Sequence, residues 1–337
     1  MAFLFGDSFD HYATADMGLV YDAVGTPIAI AASGRNGTSA ASFGNLNAYL
    51  MKLITAADTL IAAAAFKFIS LKVGPSFLQF ANGSTAHAEL YIATDNKLSI
   101  KNGSGTVLQT YASPLIANTL YHIGAKVLVG DGGAGTWEVW LNGVSVMSGS
   151  GDTRNGATTT SDRVLLRGIA ENFVSGDTVV DDFYILDTSG SQCNDFLGDI
   201  RGVSRFANAD GTYTDFTASA GDRHDCVNKV TPTADAKYVK SLTPGHKVTF
   251  SFPAMGVTGN VKAVVNHVYA FKSDAGSRII KPLTISGATE SAGAEASLSD
   301  TGLYLPPVIH MVDPATSAAW ANIAAVDAAR VGAQMVS

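Results

Sequence analysis

Asn-Gly dipeptides at Asn82-Gly83, Asn102-Gly103, Asn142-Gly143 and Asn155-Gly156 divide the middle of this chain into short apolar runs. Asn-Gly tolerates the positive φ angles that a tight type I′ hairpin turn needs at both central positions. The runs between them are too short for helices: Phe77–Phe80, Ala88–Ala93, Leu98–Lys101, Val107–Tyr111, Tyr121–Val129, Trp137–Leu141, Val144–Met147, Val164–Arg167 and Val179–Leu186. Trp137 to Leu141 and Val144 to Met147 alternate about Asn142-Gly143 and predict a hairpin. In Tyr121–Val129 the odd positions are apolar while His122 and Lys126 point the other way, as in a half-buried strand. Many short strands with no strong helix among them predict a β-sandwich. Leu60 to Phe66 is alanine-rich and fits helix or strand; its β-rich neighbours favour strand.

The texture changes after Val179–Leu186. Ser189, Gly190, Ser191, Gln192 and Asn194 carry no periodicity and read as a junction. With 337 residues, two domains are expected: 1–188, a junction at 189–194, and a second β-rich domain over 195–337. In the second, Val261 to Lys272 alternates most clearly and predicts its best strand. Val248–Phe252, Ile279–Ile285 and Gly302–Leu305 are further candidates. Asp313-Pro314 is placed to open a helix over about Thr316–Ala328, and the chain closes on an apolar stretch, Val331 to Val336. Such an ending is expected in a sheet or an interface, with Ile323, Val326, Val331, Met335 and Val336 in a core or a subunit contact.

Composition narrows the function. Charged residues are 15%, and the net charge is −7 with no basic block, so direct nucleic-acid binding is not expected. The longest apolar run is far shorter than the ~20 residues that span a bilayer, so no membrane insertion is expected. MAFLFGDSFD lacks the basic start of a secretory leader. Cys193 and Cys226 make neither a disulfide framework nor a metal spacing and read as thiols of a reducing cytoplasm. The low charge and the Ala, Gly, Ser and Thr that replace it suit a surface partly covered in an assembly; a merely hydroxyl-rich solvated surface fits as well.

The catalytic signals are weak. The five glutamates, Glu89, Glu138, Glu171, Glu290 and Glu295, form no E-x-D-x-E pattern of the kind that would place paired carboxylates on one strand. Glu138 alternates with Trp140, which fits a sugar-binding patch or an outward charge beside a packed indole. His224 and Cys226 in Arg223-His224-Asp225-Cys226 would share a strand face, as a nucleophile and base require, but no oxyanion signal accompanies them. His267, on an apolar face, reads as a core histidine. Asp7, Asp10, Asp181, Asp182 and Asp187 come from the first and last strands of the first domain. Asp7, Asp10 and Asp182 are candidate calcium ligands, and acids that cap turns are the alternative. No catalytic residue is assigned, no other cofactor is expected, and the protein reads as a non-enzyme.

Two resemblances add to this. Thr136-Trp137-Glu138-Val139-Trp140-Leu141-Asn142-Gly143 and Val180-Asp181-Asp182-Phe183-Tyr184-Ile185-Leu186-Asp187 resemble the hairpin and closing strand of concanavalin A-like, laminin-G type jelly rolls, over roughly 1–188. Nearly the whole chain is similar to a group of tailed-bacteriophage virion proteins. The phrases that carry this are Gly6-Asp7-Ser8-Phe9-Asp10-His11-Tyr12, Gly34-Arg35-Asn36-Gly37 and Asp181 to Asp199; in the second domain they are 235–239, Lys272 to Arg278, and Asp313-Pro314 with Trp320. This resemblance implies an all-β structural component of the particle, in the tail, neck or baseplate. It also implies partners among other virion proteins, a trimer or ring of the chain itself, and localisation in the virion after synthesis in the host bacterial cytoplasm. A receptor- or glycan-binding module is the alternative, and a polysaccharide-degrading enzyme the more distant one.

Overall fold

The computed structural model describes residues 3–169, 177–231 and 236–337; Glu171 and Asp235, singled out above, lie outside them. The chain is all-β. It divides into two compact units, Met1–Asp10 with Thr14–Gly202, and His11–Ala13 with Val203–Ser337.

The first unit is a jelly-roll sandwich. Its strands are β1 Phe3–Asp7, β2 Ala23–Gly25, β3 Ile28–Ala31, β4 Ala40–Phe43, β5 Tyr49–Ala57, β6 Thr59–Phe68, β7 Ser76–Asn82 and β8 Thr85–Ile92. They continue with β9 Lys97–Asn102, β10 Val107–Pro114, β11 Leu120–Leu128, β12 Gly135–Leu141, β13 Val144–Gly151, β14 Ser161–Arg167 and β15 Thr178–Asp187. An eight-stranded sheet runs β13-β12-β11-β6-β15-β4-β3, with β1 pairing the second half of β15. A seven-stranded sheet runs β10-β9-β8-β7-β14-β5-β2. Phe66 and Phe68 of β6 meet Phe77 of β7 edge-on at 4.9 and 5.0 Å between ring centroids, so the two sheets share one aromatic core. The alanine run is strand, as its neighbours imply, and lies between β11 and β15 with every residue of Leu60–Phe66 buried. The Asn142-Gly143 turn has φ of 51° and 80°, the type I′ geometry that the dipeptide predicts.

The small side chains of β6 have a further reason. Trp140, Gly124, Ala63 and Tyr184 stand in one cross-strand row. Phe196 lies on that row: a Cβ on Gly124 would come within 2.3 Å of its ring, and its centroid is 3.6 Å from that of Trp140. The segment 194–202 therefore belongs to the first unit, and the division falls at Gly202, beyond the junction read at 189–194. Polarity and small residues mark that junction in sequence, but the Phe196 ring and the acids Asp182, Asp195 and Asp199 tie residues 194–202 to the sheet.

The second unit is built on a sheet in the order Ala209–Thr214, Lys247–Ser251, Arg330–Met335, Ile279–Ser286, Thr289–Ala292, with Ala296–Ser297 on the far end of Ile279–Ser286. Short two-stranded ladders supply the opposing layer, packing Leu305, Phe216, Val239, Ala270 and Leu303 on Val248, Phe250, Ile280 and Met335. Val261 to Lys272 is not one strand. Val264–Asn266 pairs Val308–His310, and Tyr269–Ala270 pairs Leu303–Tyr304. Between the partners sit Pro306 and Pro307, which have no N–H to continue the ladder. The helix is also shorter than expected, Ile323–Ala328, capped by Asn322 accepting from Ala325 N at 2.9 Å. Asp313 closes a local turn instead, accepting from Ala315 N at 2.9 Å, and Ser317 at φ 57° breaks any helix from 316.

The apolar ending is core. Met335 lies in the main cluster of this unit, and Val326 packs with Trp320 and Ala329. Val331 is held between Phe250 and Thr284 in the sheet. Val326 and Met335 thus take the core alternative of the two expected for this ending, and both side chains are used inside their own unit. Ile323, Val331 and Val336 are partly exposed.

Candidate functional site

Asp7, Asp10, Asp181 and Asp182 come together where β1 ends against β15, while Asp187 lies at the other end of that pairing and accepts from Ser189 N at 2.9 Å. A bulge in β15 makes the arrangement. Asp181 pairs Ala65 and Tyr184 pairs Ala63, so one extra residue is inserted, and Asp182 takes φ 51°. A regular strand would send these two side chains to opposite faces; the bulge presents both to the Arg35 turn. Arg35 N donates to Asp181 Oδ2 at 2.8 Å, and Arg35 Nη1 donates to Asp182 Oδ2 at 3.0 Å and Asp199 Oδ1 at 2.8 Å. Gly202 N donates to Asp182 Oδ1 at 2.7 Å. Burial, and then the Asp182 charge, push the Asp181 carboxyl up to about 7. Burial also raises Asp182 and Asp10 above the usual carboxylate range.

Asp7, Asp10 and Asp182, the candidate calcium ligands, are each committed to protein donors. Asp7 accepts from Phe9 N and Tyr21 Oη, both at 2.8 Å, and Asp10 accepts from Ser39 N at 2.8 Å. The cations at this cluster are the Arg35 guanidinium, hydrogen-bonded to Asp182, and Arg201, whose charge acts on Asp10 and Asp182. Sequence alone offered no signal that Arg35 would reach acids so distant along the chain.

Among the described residues, the grouping whose ligand atoms lie mutually within 4.8 Å is Asp222, His224 and Asp225 in the second unit. His224 and Cys226 are not on a strand face. They occupy a 3-10 turn in which His224 Nδ1 faces Asp210 Oδ1 at 3.1 Å, while Cys226 Sγ donates to the Ala220 carbonyl at 3.1 Å. The pair expected of a nucleophile and its base is not formed. His267 stacks on His11 at 4.5 Å within an aromatic cluster that includes Tyr304. Glu138 sits opposite Lys126, and its neighbour Trp140 lies under Phe196, which corresponds to an outward charge beside a packed indole.

A cleft opens on the outer face of the seven-stranded sheet. Leu46, Pro75, Ser76, Gln79, Glu89, Arg167 and Gly168 line about 220 Å³. Glu89 accepts from Gln79 Nε2 at 2.6 Å and from Ser76 Oγ, and pairs with Lys101 Nζ at 3.1 Å. Lys101 lies over the Tyr91 ring at 5.0 Å, and Arg167 over the Tyr49 ring at 5.7 Å. Arg167 has no carboxylate partner among the described residues, and its Nε is buried without a hydrogen-bond acceptor.

No family model matches the chain, and no curated protein matches it in sequence. Solved structures resemble about half of it. Domain 4 of AbnA, a GH43 extracellular arabinanase from Geobacillus stearothermophilus in complex with arabinotriose, is 17% identical at TM-score 0.35, covering 48% of this chain and 76% of that one. The cellulose induced protein Cip1 is 14% identical at TM-score 0.36, covering 48% and 86%. Trypanosoma rangeli sialidase in complex with the inhibitor DANA is 14% identical at TM-score 0.35, and the match spans 47% of this chain and 27% of the sialidase. Likenesses of this strength carry nothing about what the chain does.

Proposed function

We propose that this protein is a non-catalytic structural component of a tailed-bacteriophage particle, in the tail, neck or baseplate, that acts by assembling with other virion proteins and with copies of itself. One observation supports this above the others. The three phrases that carry the resemblance in the first unit contribute to one network: Asp7 and Asp10 from the first, Arg35 from the second, and Asp181, Asp182 and Asp199 from the third. The Arg35 guanidinium pairs with Asp182 and Asp199, while Asp7, Asp10 and Asp181 accept from backbone N–H groups and Asp7 also from Tyr21 Oη. A constellation used for hydrolysis needs a carboxylic acid and a second carboxylate facing a substrate space; here the carboxylates face a guanidinium and amide N–H groups. Such a network fixes the shape of a module, which is what an assembly subunit requires. Mass spectrometry of purified particles, with a reconstruction of the particle, tests this. The chain is expected in stoichiometric amounts with threefold or sixfold order; absence from particles would overturn the reading. Glu138→Gln should leave assembly unchanged.

A further inference from the structure

The cleft on the seven-stranded sheet carries chemistry that assembly does not use. Its walls are unlike. Leu46 and Pro75 are apolar; Ser76, Gln79 and Glu89 are polar and already tied together; Arg167 is a cation without a counter-charge among the described residues. Glu89 is neutralised by Lys101, so Arg167 leaves the cleft with surplus positive charge on a chain whose net charge is −7. A guanidinium laid over an aromatic ring is held in place at little further entropic cost and recognises a carboxylate through paired N–H donors. Among the described residues the Arg167 Nε is buried without an acceptor, so the guanidinium's pairing capacity is not used up within the fold. At about 220 Å³ the space is below the roughly 300–1,000 Å³ of sites for drug-sized ligands and on the scale of a single sugar ring. Sugar hydroxyls match the mixed donors and acceptors of Ser76, Gln79 and Glu89, and the C–H face of the ring matches Leu46 and Pro75.

We infer that this cleft binds a carboxylate-bearing sugar, a uronate-type residue of an acidic polysaccharide, with Arg167 as the anchor for the carboxylate and Gln79 and Glu89 as partners for ring hydroxyls. The site stands apart from the assembly role: failure to bind sugar leaves that role intact, and absence from particles leaves the site intact.

Glucuronate against glucose, and galacturonate against galactose, isolate the carboxylate, because each pair differs at one carbon. Binding to the full chain is read by calorimetry and by saturation-transfer NMR. The uronates are expected to bind at least about tenfold more tightly than their neutral partners, the scale of one charge-assisted contact. Arg167→Ala should remove that preference, and Arg167→Lys should keep part of it, with melting curves confirming that both variants are folded. Arg278→Ala, distant in sequence and in the second unit, should bind as the parent does. Equal binding of acidic and neutral sugars, no uronate binding up to about 10 mM, or unchanged binding by a folded Arg167→Ala would overturn the inference. Acetate competing as strongly as glucuronate would reduce the site to an anion pocket and overturn the assignment to a sugar.

Discussion

Arg35→Ala would leave the Asp182 carboxylate, 2% exposed, with one amide donor, no ion-pair partner in contact, and only the longer-range charge of Arg201. Removing one partner of a buried ion pair costs about 3–5 kcal/mol, and chemical denaturation of the variant should show a loss of that order; Arg35→Lys should recover little, because one ammonium cannot hold both Asp182 and Asp199 as the fork does. Asp181 gives a pH signature. Its folded carboxyl titrates at about 7 against an ordinary 3.8. Between those values the folded protein keeps a proton that the unfolded chain has released, so this group's stabilising contribution is full below 3.8 and lost as pH rises through 7. Buried His11 and His122, both held down to about 4, act with the opposite sign. The quantity to measure is therefore the stability difference between the parent and Asp181→Asn, which should shift in favour of the variant as pH is raised from 4 to 7. At Gly143, φ is 80° and nothing lies within 4 Å of an added Cβ, so Gly143→Val meets backbone strain alone. A loss of about 1–2 kcal/mol is expected by thermal melting, with Gly143→Asn costing less. The hairpin was legible in the sequence because Asn-Gly states its own φ requirement. The Arg35 network was not, because hydrogen-bonding partners 146 and 147 positions apart leave no local pattern.

The element that changes most between sequence and structure is the segment after β15. Its lack of periodicity reads as linker, yet Phe196 covers the Trp140–Gly124–Ala63–Tyr184 row, Asp195 pairs with Lys126 at 3.0 Å, and Tyr184 Oη donates to the Gly198 carbonyl at 3.4 Å. The segment covers His122, both of whose ring nitrogens are buried without partners. A fragment ending at residue 202 should therefore melt cooperatively, and one ending at 188 should melt lower or aggregate through the uncovered Trp140 and Gly124 row. Equal melting temperatures for the two fragments would mean that the segment is a passive tether. The alanine run of β6 belongs to the same lesson: Ala62–Ala65 fit either helix or strand by composition, and small size is explained only by the strands on both sides and the ring above.

For the whole molecule, the C-terminal stretch bears directly on how the chain is built. Arg330–Met335 is paired on both sides, by Lys247–Ser251 and by Ile279–Ser286. Deleting 313–337 should therefore abolish the cooperative unfolding of the second unit while the first still melts, visible as one transition lost in calorimetry. A truncated chain that keeps both transitions would show that this strand is dispensable. Much of the architecture comes from the residues in order. Alternating short runs and turn dipeptides can satisfy their backbone groups only in antiparallel ladders, so the all-β class, the two-unit organisation and the Trp137–Met147 hairpin are local consequences of side-chain period and turn chemistry. Features that local pattern cannot carry are decided by packing. The β15 bulge that brings Asp181 and Asp182 to one arginine, the prolines opposite Val261–Lys272 that interrupt its ladder, and the cleft that leaves Arg167 without a carboxylate among the described residues all depend on strands meeting across long stretches of chain. Only the tertiary structure sets those meetings, because the free energy of burying a charge or closing a ladder exists only once both partners are in place.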